Sequence, residues 1–214
     1  MLTEYTLVLV AAMLMVAMAA GNGVTEPVSQ SIVLLQRGNT TERREAVGIL
    51  AQLGDQRAVA PLAAALKNDV DTFVRQGAEQ ALWQIWHRSG DNAVDTLLQE
   101  GVEAMQRGIY QAAIDIFTRV IEVAPNFAEG YNKRATTFYL MQRYEESIAD
   151  CERTIALNPH HFGALSGAGL CYLGQRNLTK ALEFFERAVS VNPNMPQIQQ
   201  YIEEIRRWLR DQSF

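Results

Sequence analysis

Residues 128–159 read AEGYNKRATTFYLMQRYEESIADCERTIALNP, and the same register returns on either side of it at a constant offset of 34. Pro125, Pro159 and Pro193 stay in step, inside Ala-Pro-Asn, Asn-Pro-His and Asn-Pro-Asn, where each would stop a helix. Counting back from each proline, the register holds Gly101, Ala135 and Gly169, then Ala104, Phe138 and Tyr172. Further on it holds Ala113, Ser147 and Ala181, then Phe117, Cys151 and Phe185. A fixed period of this length, with small and aromatic residues at helical spacing, marks a stacked array of helix pairs. The small residue of each copy is expected where its two helices cross closely, with the ring of Phe117 or Phe185 filling the facing gap.

These residues resemble the tetratricopeptide repeat family, and the likeness runs from about 94 to 195. It implies an all-α fold, a right-handed solenoid of helical hairpins. First helices are expected near 94–107, 128–141 and 162–175, and second helices near 109–122, 144–157 and 178–191. A capping helix over 196–210 comes after Pro193 and Pro196, with Ile198, Ile202, Ile205 and Leu209 on one stripe and Glu203, Glu204, Arg206 and Arg207 on the other. A repeat array needs such a polar outer end to stay in solution. The resemblance implies a concave groove built from the first helices. Its candidate lining is Val102 and Met105 in the first repeat, Asn132, Lys133, Thr136 and Tyr139 in the second, and Gly163, Ser166, Gly167, Leu170 and Leu173 in the third. Asp95, Leu98, Gln99, Gln106, Glu129, Leu140 and Gly174 share the same helical stripe. Family members that bind chaperone tails grip a terminal carboxylate with basic residues and Asn. Those places hold Leu98, Val102, Ser166 and Gly167 here, so that clamp is absent. Gly163 and Gly167 are costly residues inside a helix, which is explained either by a notch for a bulky partner side chain or by drift.

A second pattern occupies residues 27–90. Placing Arg43 on Arg75 aligns Asn39 with Asp71, Ala46 with Ala78, Leu50 with Leu82 and Leu53 with Ile85, an offset of 32. Helices are expected near 28–37, 41–53, 56–66 and 71–88. Gly54 is placed to take a left-handed cap position and Asp55 to cap the next helix. The segment resembles the short HEAT-like repeats of phycobilisome lyases. That likeness implies a structural ladder involving Arg43, Arg75 and Asp55 at the repeat turns, and a short array stacked on the three tetratricopeptide repeats. Trp83 and Trp86, three apart on one helix face, read as a hydrophobic seam towards the next array, or else as a ligand platform.

From Leu7 to Ala20 every residue is apolar. Fourteen residues make a helix of roughly 21 Å, short for a bilayer core of about 30 Å. Residues 1–22 therefore read as a secretory leader, with Ala17-Met18-Ala19 as a cleavage site. The flank carries Glu4 and no Lys or Arg, so a retained membrane anchor through residues 7–20 and a buried helix stay open. The run Asn132-Lys133-Arg134-Ala135-Thr136, with His161 to Gly167, is also similar to small exported bacterial repeat proteins, which implies export, most simply to a bacterial periplasm.

The remaining chain properties are consistent with a binding scaffold. Hydrophobic residues make up 48% of 214, enough for a core, and the formal charge of -5 with scattered Lys and Arg argues against nucleic acid. No catalytic constellation, metal site or cofactor motif is evident. Gly163 to Gly167 imitates a serine elbow inside a helix, and Gly167-Ala168-Gly169 lacks a third glycine and a preceding strand. His160 and His161 read as solvent-exposed loop residues. Cys151 and Cys171 are neighbours in the stack, either free buried thiols or a bridge. The expected function is a non-catalytic interaction module, an exported adaptor or scaffold that holds a protein or peptide in the concave groove. The alternatives are a membrane-tethered assembly factor and a bilin lyase-type enzyme acting through the HEAT-like segment.

Overall fold

The computed structural model describes residues 25–211, which are helical throughout apart from turns. Eleven α-helices succeed one another: α1 (Thr25–Arg37), α2 (Thr40–Leu53), α3 (Val59–Asn68), α4 (Thr72–Trp86), α5 (Asn92–Gln106), α6 (Tyr110–Val123), α7 (Ala128–Leu140), α8 (Tyr144–Leu157), α9 (Phe162–Gly174), α10 (Leu178–Val191) and α11 (Pro196–Asp211). The chain divides into two compact units after Ile85. The apolar run Leu7–Ala20 lies outside the described residues. Among those described, no helix is long and apolar enough to cross a membrane.

In the amino-terminal unit, Asn39 starts α2 through a capping box. Its side chain accepts from the amides of Thr41 and Glu42, and the Glu42 carboxylate accepts from the Asn39 amide at 2.6 Å. Gly54 comes directly after α2 in an extended conformation, φ -61° and ψ 150°, not in the expected left-handed one. Space dictates the glycine instead: a Cβ there would collide with the Leu50 carbonyl oxygen and lie 2.9 Å from Ile85 Cδ1. Asp55 does act as a cap, accepting from Arg57 N at 2.9 Å, but the element it caps is a 3-10 turn (Gln56–Ala58) that precedes α3.

The turn ladder exists, with partners other than those expected. Arg43 makes a bidentate pair with Asp69 (2.7 and 3.1 Å) and also donates to the Gly38 carbonyl; Arg44 pairs likewise with Asp71 (3.1 and 2.6 Å). Arg75 donates to the Asp69 carbonyl at 2.8 Å. Asp55 is committed to its neighbour Arg57. Arg44 donating to Asp71 holds that carboxyl down at about 2.

The carboxy-terminal unit consists of three hairpins, α5/α6, α7/α8 and α9/α10, closed by α11. Consecutive first helices adjoin, α5 with α7 and α7 with α9. At the crossing of the first hairpin, a Cβ on Gly101 would lie 2.5 Å from the Phe117 ring, and in the third a Cβ on Gly169 would lie 2.5 Å from Phe185. Both rings are fully buried. The hairpin turns also keep the period. Gly108, Gln142 and Arg176, each one repeat on from the last, all take positive φ (76°, 58° and 59°). Asn158 and Asn192 close the two later inter-hairpin turns by accepting from the amides two residues on. On α11, Ile198, Ile202 and Ile205 are buried while Glu203, Glu204, Arg206 and Arg207 face water. Arg206 reaches Glu186 of α10 at 2.6 Å.

Candidate functional site

The stripe of first-helix residues that should line a groove is not uniformly open. Thr136 is exposed; Val102, Met105, Lys133, Tyr139, Gly163, Gly167, Leu170 and Leu173 are half-buried; Asn132 and Ser166 are buried. Val102 and Met105 pack on the apolar cluster of the first repeat around Phe117. Tyr139, Leu170 and Leu173 pack on the larger cluster around Cys171, Phe185 and Ile202, with the Tyr139 ring 6.1 Å from that of Tyr144. Burial raises the Tyr139 phenol above its ordinary range. The Ser166 hydroxyl donates to the Gly163 carbonyl of its own helix at 3.1 Å, and the Thr136 hydroxyl to the Asn132 carbonyl at 2.9 Å. A Cβ on Gly167 would make ordinary contact with Cys151 Sγ at 3.4 Å, so a neighbouring thiol borders this glycine.

Two assignments change, those of Glu129 and His161, and a third, that of Trp86, narrows. Glu129, placed on the groove stripe, is fully buried, as is His161, which is no solvent-exposed loop residue. Trp86, read as a seam or a platform, is buried, which leaves no exposed platform there: its ring is stacked on the His161 imidazole at 4.3 Å and 19°, and tilted against Phe162 at 5.0 Å. These residues meet in one polar hub. Glu129 Oε2 accepts from Asn132 Nδ2 at 3.1 Å and lies 3.0 Å from His161 Nε2; Oε1 lies 3.0 Å from Lys133 Nζ and 3.4 Å from His87 Nε2.

The hydrogen-bond pattern assigns the imidazole tautomer. The Ala164 amide donates to His161 Nδ1 at 3.0 Å, capping α9, so Nδ1 carries no proton and Nε2–H must be the donor to Glu129. Burial pushes the Glu129 carboxyl up, but the His161 hydrogen bond and the positive charge of Lys133 beside Oε1 outweigh it and hold the group at about 2. A buried carboxylate survives only with such partners. Glu129 and His161 open successive first helices, and neither stands out by period. The available signal was the register: His161 sits where Phe127 and Met195 precede the other helices, at a place that rewards an acceptor.

A second ionic tie crosses the middle hairpin. Arg134 of α7 makes a bidentate pair with Asp150 of α8 (2.7 and 2.8 Å) and donates to the Thr118 hydroxyl of α6 at 3.0 Å. Cys151 and Cys171 are free and buried, the Cys171 thiol donating to the Ser147 hydroxyl at 3.1 Å. Burial pushes both thiols up, so neither is poised as a nucleophile. Among the described residues no group of three His, Cys, Asp or Glu side chains could hold a metal ion.

Comparison with known proteins matches residues 10–83 to the HEAT repeats model and residues 98–161 and 132–196 to the tetratricopeptide repeat model. A TPR repeat-containing protein of Rhizobium etli is 32% identical over 108 residues, 50% of this chain; the chain spans about half of that relative, 53%. The first TPR domain of Spaghetti (RPAP3), solved bound to an HSP90 peptide, superposes with a TM-score of 0.53 at 23% identity, covering 55% of this chain and 93% of that domain. The TPR2B domain of yeast Sti1, in a pHsp70 complex, gives 0.51 at 24% identity, covering 54% of this chain and 97% of that domain. Both structural likenesses concern the fold.

Proposed function

The chain is a tetratricopeptide-repeat protein with an amino-terminal HEAT-like segment, and from that premise we propose that it is a non-catalytic interaction module, an exported adaptor or scaffold that docks a protein or peptide segment on the face formed by α5, α7 and α9. The observation that carries this reading is the periodic crossing: Gly101, Ala135 and Gly169 keep the three crossings small, and the three first helices then adjoin as one preformed surface. A preformed surface costs little ordering on binding. Domains of this fold in RPAP3 and Sti1 hold chaperone peptides, which supports peptide docking as a class. A chaperone tail is not the partner proposed here, because Leu98 and Ser166 are buried and Val102 is packed on the first-repeat cluster, at places where a clamp would need basic residues and Asn. The shifted pKa values are explained by structural pairing at Glu129 and by burial at Cys151, which favours binding over catalysis.

The test is a photo-crosslinking amino acid placed in the full chain at the exposed groove position Thr136 and, separately, at the exposed α6 position Arg119. Expected is a partner captured from Thr136 and not from Arg119. Equal capture at both, or capture from Arg119 alone, overturns the docking face.

Export rests on the resemblance of the segment Leu7–Ala20 to a secretory leader. A second reading has its own observation: the HEAT match begins at residue 10, inside the apolar run, which supports reading that run as part of a repeat rather than as a leader. The intact mass of the protein recovered from cells separates them, since a leader cleaved after Ala19 removes those residues while a repeat helix or a membrane tether retains them.

A further inference from the structure

The three helices of the proposed docking face, α5, α7 and α9, contain two basic residues between them, Lys133 and Arg134. Each already faces a carboxylate of this chain. Arg134 is held in two parallel hydrogen bonds by Asp150, itself buried. Lys133 Nζ lies 3.0 Å from Glu129 Oε1, one helical turn away, and only 18% of the lysine side chain is exposed. The same helices bring the acidic side chains Asp95, Glu100 and Glu103. Around them the stripe offers the exposed Leu140 and the half-buried Met105, Tyr139, Leu170 and Leu173, beside the uncharged polar Gln99, Gln106 and Thr136.

We infer that Glu129 is a resident counter-ion that keeps the Lys133 ammonium from any partner, so that the face selects a protein segment with apolar side chains and no carboxylates. This inference rests on the docking reading and names the partner chemistry within it. A partner carboxylate that reached Lys133 would have to share the ammonium with the buried Glu129 charge, which repels it, or displace Glu129, which would strand a buried charge. Glu129 does not leave easily, because Asn132 and His161 hold its other oxygen at 3.1 and 3.0 Å. A carboxylate approaching from the first repeat meets Asp95 on the same stripe, and the cation beside α5, Arg107, already faces Glu103 at 3.7 Å. An apolar segment meets none of these obstacles and buries the exposed edges of Leu140 and Tyr139.

The probe is fluorescently labelled pentaglutamate with a free carboxy terminus, titrated by anisotropy into the full chain at low salt. Glu129→Gln keeps the side-chain shape and an acceptor for His161 while removing the charge that holds Lys133. Its affinity for pentaglutamate is expected to rise by at least about ten-fold over wild type, the worth of one charged hydrogen bond. The gain should vanish in the E129Q/K133Q double variant. In the wild-type background, Lys133→Gln should change pentaglutamate binding by less than about two-fold, as expected for a charge already neutralised. A folded Glu129→Gln protein with no gain overturns the inference. So does a wild-type affinity that Lys133→Gln weakens by about ten-fold, and that arm decides alone should Glu129→Gln not fold. A carboxylate-rich segment crosslinked at Thr136 would keep the docking reading and overturn this one. No crosslink at Thr136 would overturn docking while the pentaglutamate titrations still report on Lys133.

Discussion

In the first and third tetratricopeptide repeats the two helices cross over a glycine and a buried phenylalanine, Gly101 with Phe117 and Gly169 with Phe185; the middle repeat crosses over Ala135 and Cys151. The middle repeat thus buries less apolar surface at its crossing, and polar ties surround it. The Ser147 hydroxyl donates to the Ala135 carbonyl at 2.8 Å, Arg134 clasps Asp150, and Glu129 anchors a hub of Asn132, Lys133, His161 and His87. At the position of Glu129 the first repeat has Asp95, which accepts from the Ser89 amide, and the third has Gly163. One repeat frame therefore accommodates two kinds of cohesion, one by ring packing and one by paired buried charge, and only the second is sensitive to protons.

The contrast can be broken most severely at the rings. Phe185→Ala should cost about 3–5 kcal/mol by leaving a cavity against Gly169, whereas Cys151→Ala, which removes a single sulfur, should cost roughly 1 kcal/mol. Urea unfolding of the two variants reads both, and equal losses would abolish the distinction. Acid should act on the middle repeat. The Glu129 carboxyl is lowered in the folded state from an ordinary 4.5 to about 2, so its contribution is complete above the unfolded value and is lost as pH falls from 4.5 towards 2. A shift of this size corresponds to roughly 3 kcal/mol. Stability measured between pH 6 and 2 should therefore fall less steeply in Glu129→Gln than in wild type; parallel profiles would show that Glu129 is not the group responsible. The smallest effect lies at the hairpin turns. Gln142 and Arg176 occupy the positive-φ position that Gly108 fills without strain, so Gln142→Gly should stabilise by up to about 1 kcal/mol and Gly108→Gln should destabilise by a similar amount. A loss on Gln142→Gly would mean that the side chain makes a contact worth more than the backbone strain.

Much of this architecture could be read from the chain. The helix limits of α8 and α10 fall where the period places them, and the glycines at 101 and 169 meet the rings of the helices paired with their own. The amino-terminal pattern also located Arg43 and Arg75 as turn residues, but not the residue both of them bond, because Asp69 follows α3 at a position the repeat alignment did not include. The groove lining was legible as a helical stripe and not as a surface. Periodicity tells which residues share a helix face; it does not tell that His161, backed by Trp86, closes over Glu129 in the first turn of α7 while Thr136 stays open.

The sequence by itself determined the repeat length, the helix pairs, the small residues at the crossings and the polar outer side of α11, since each depends on neighbours at a fixed and recurring distance along the chain. Tertiary structure alone decided that Glu129 and His161 are buried partners, which proton His161 carries, and that Lys133 is already neutralised. Those outcomes depend on a single meeting of residues 86, 87, 129, 132, 133 and 161, and a contact made once leaves no period to read.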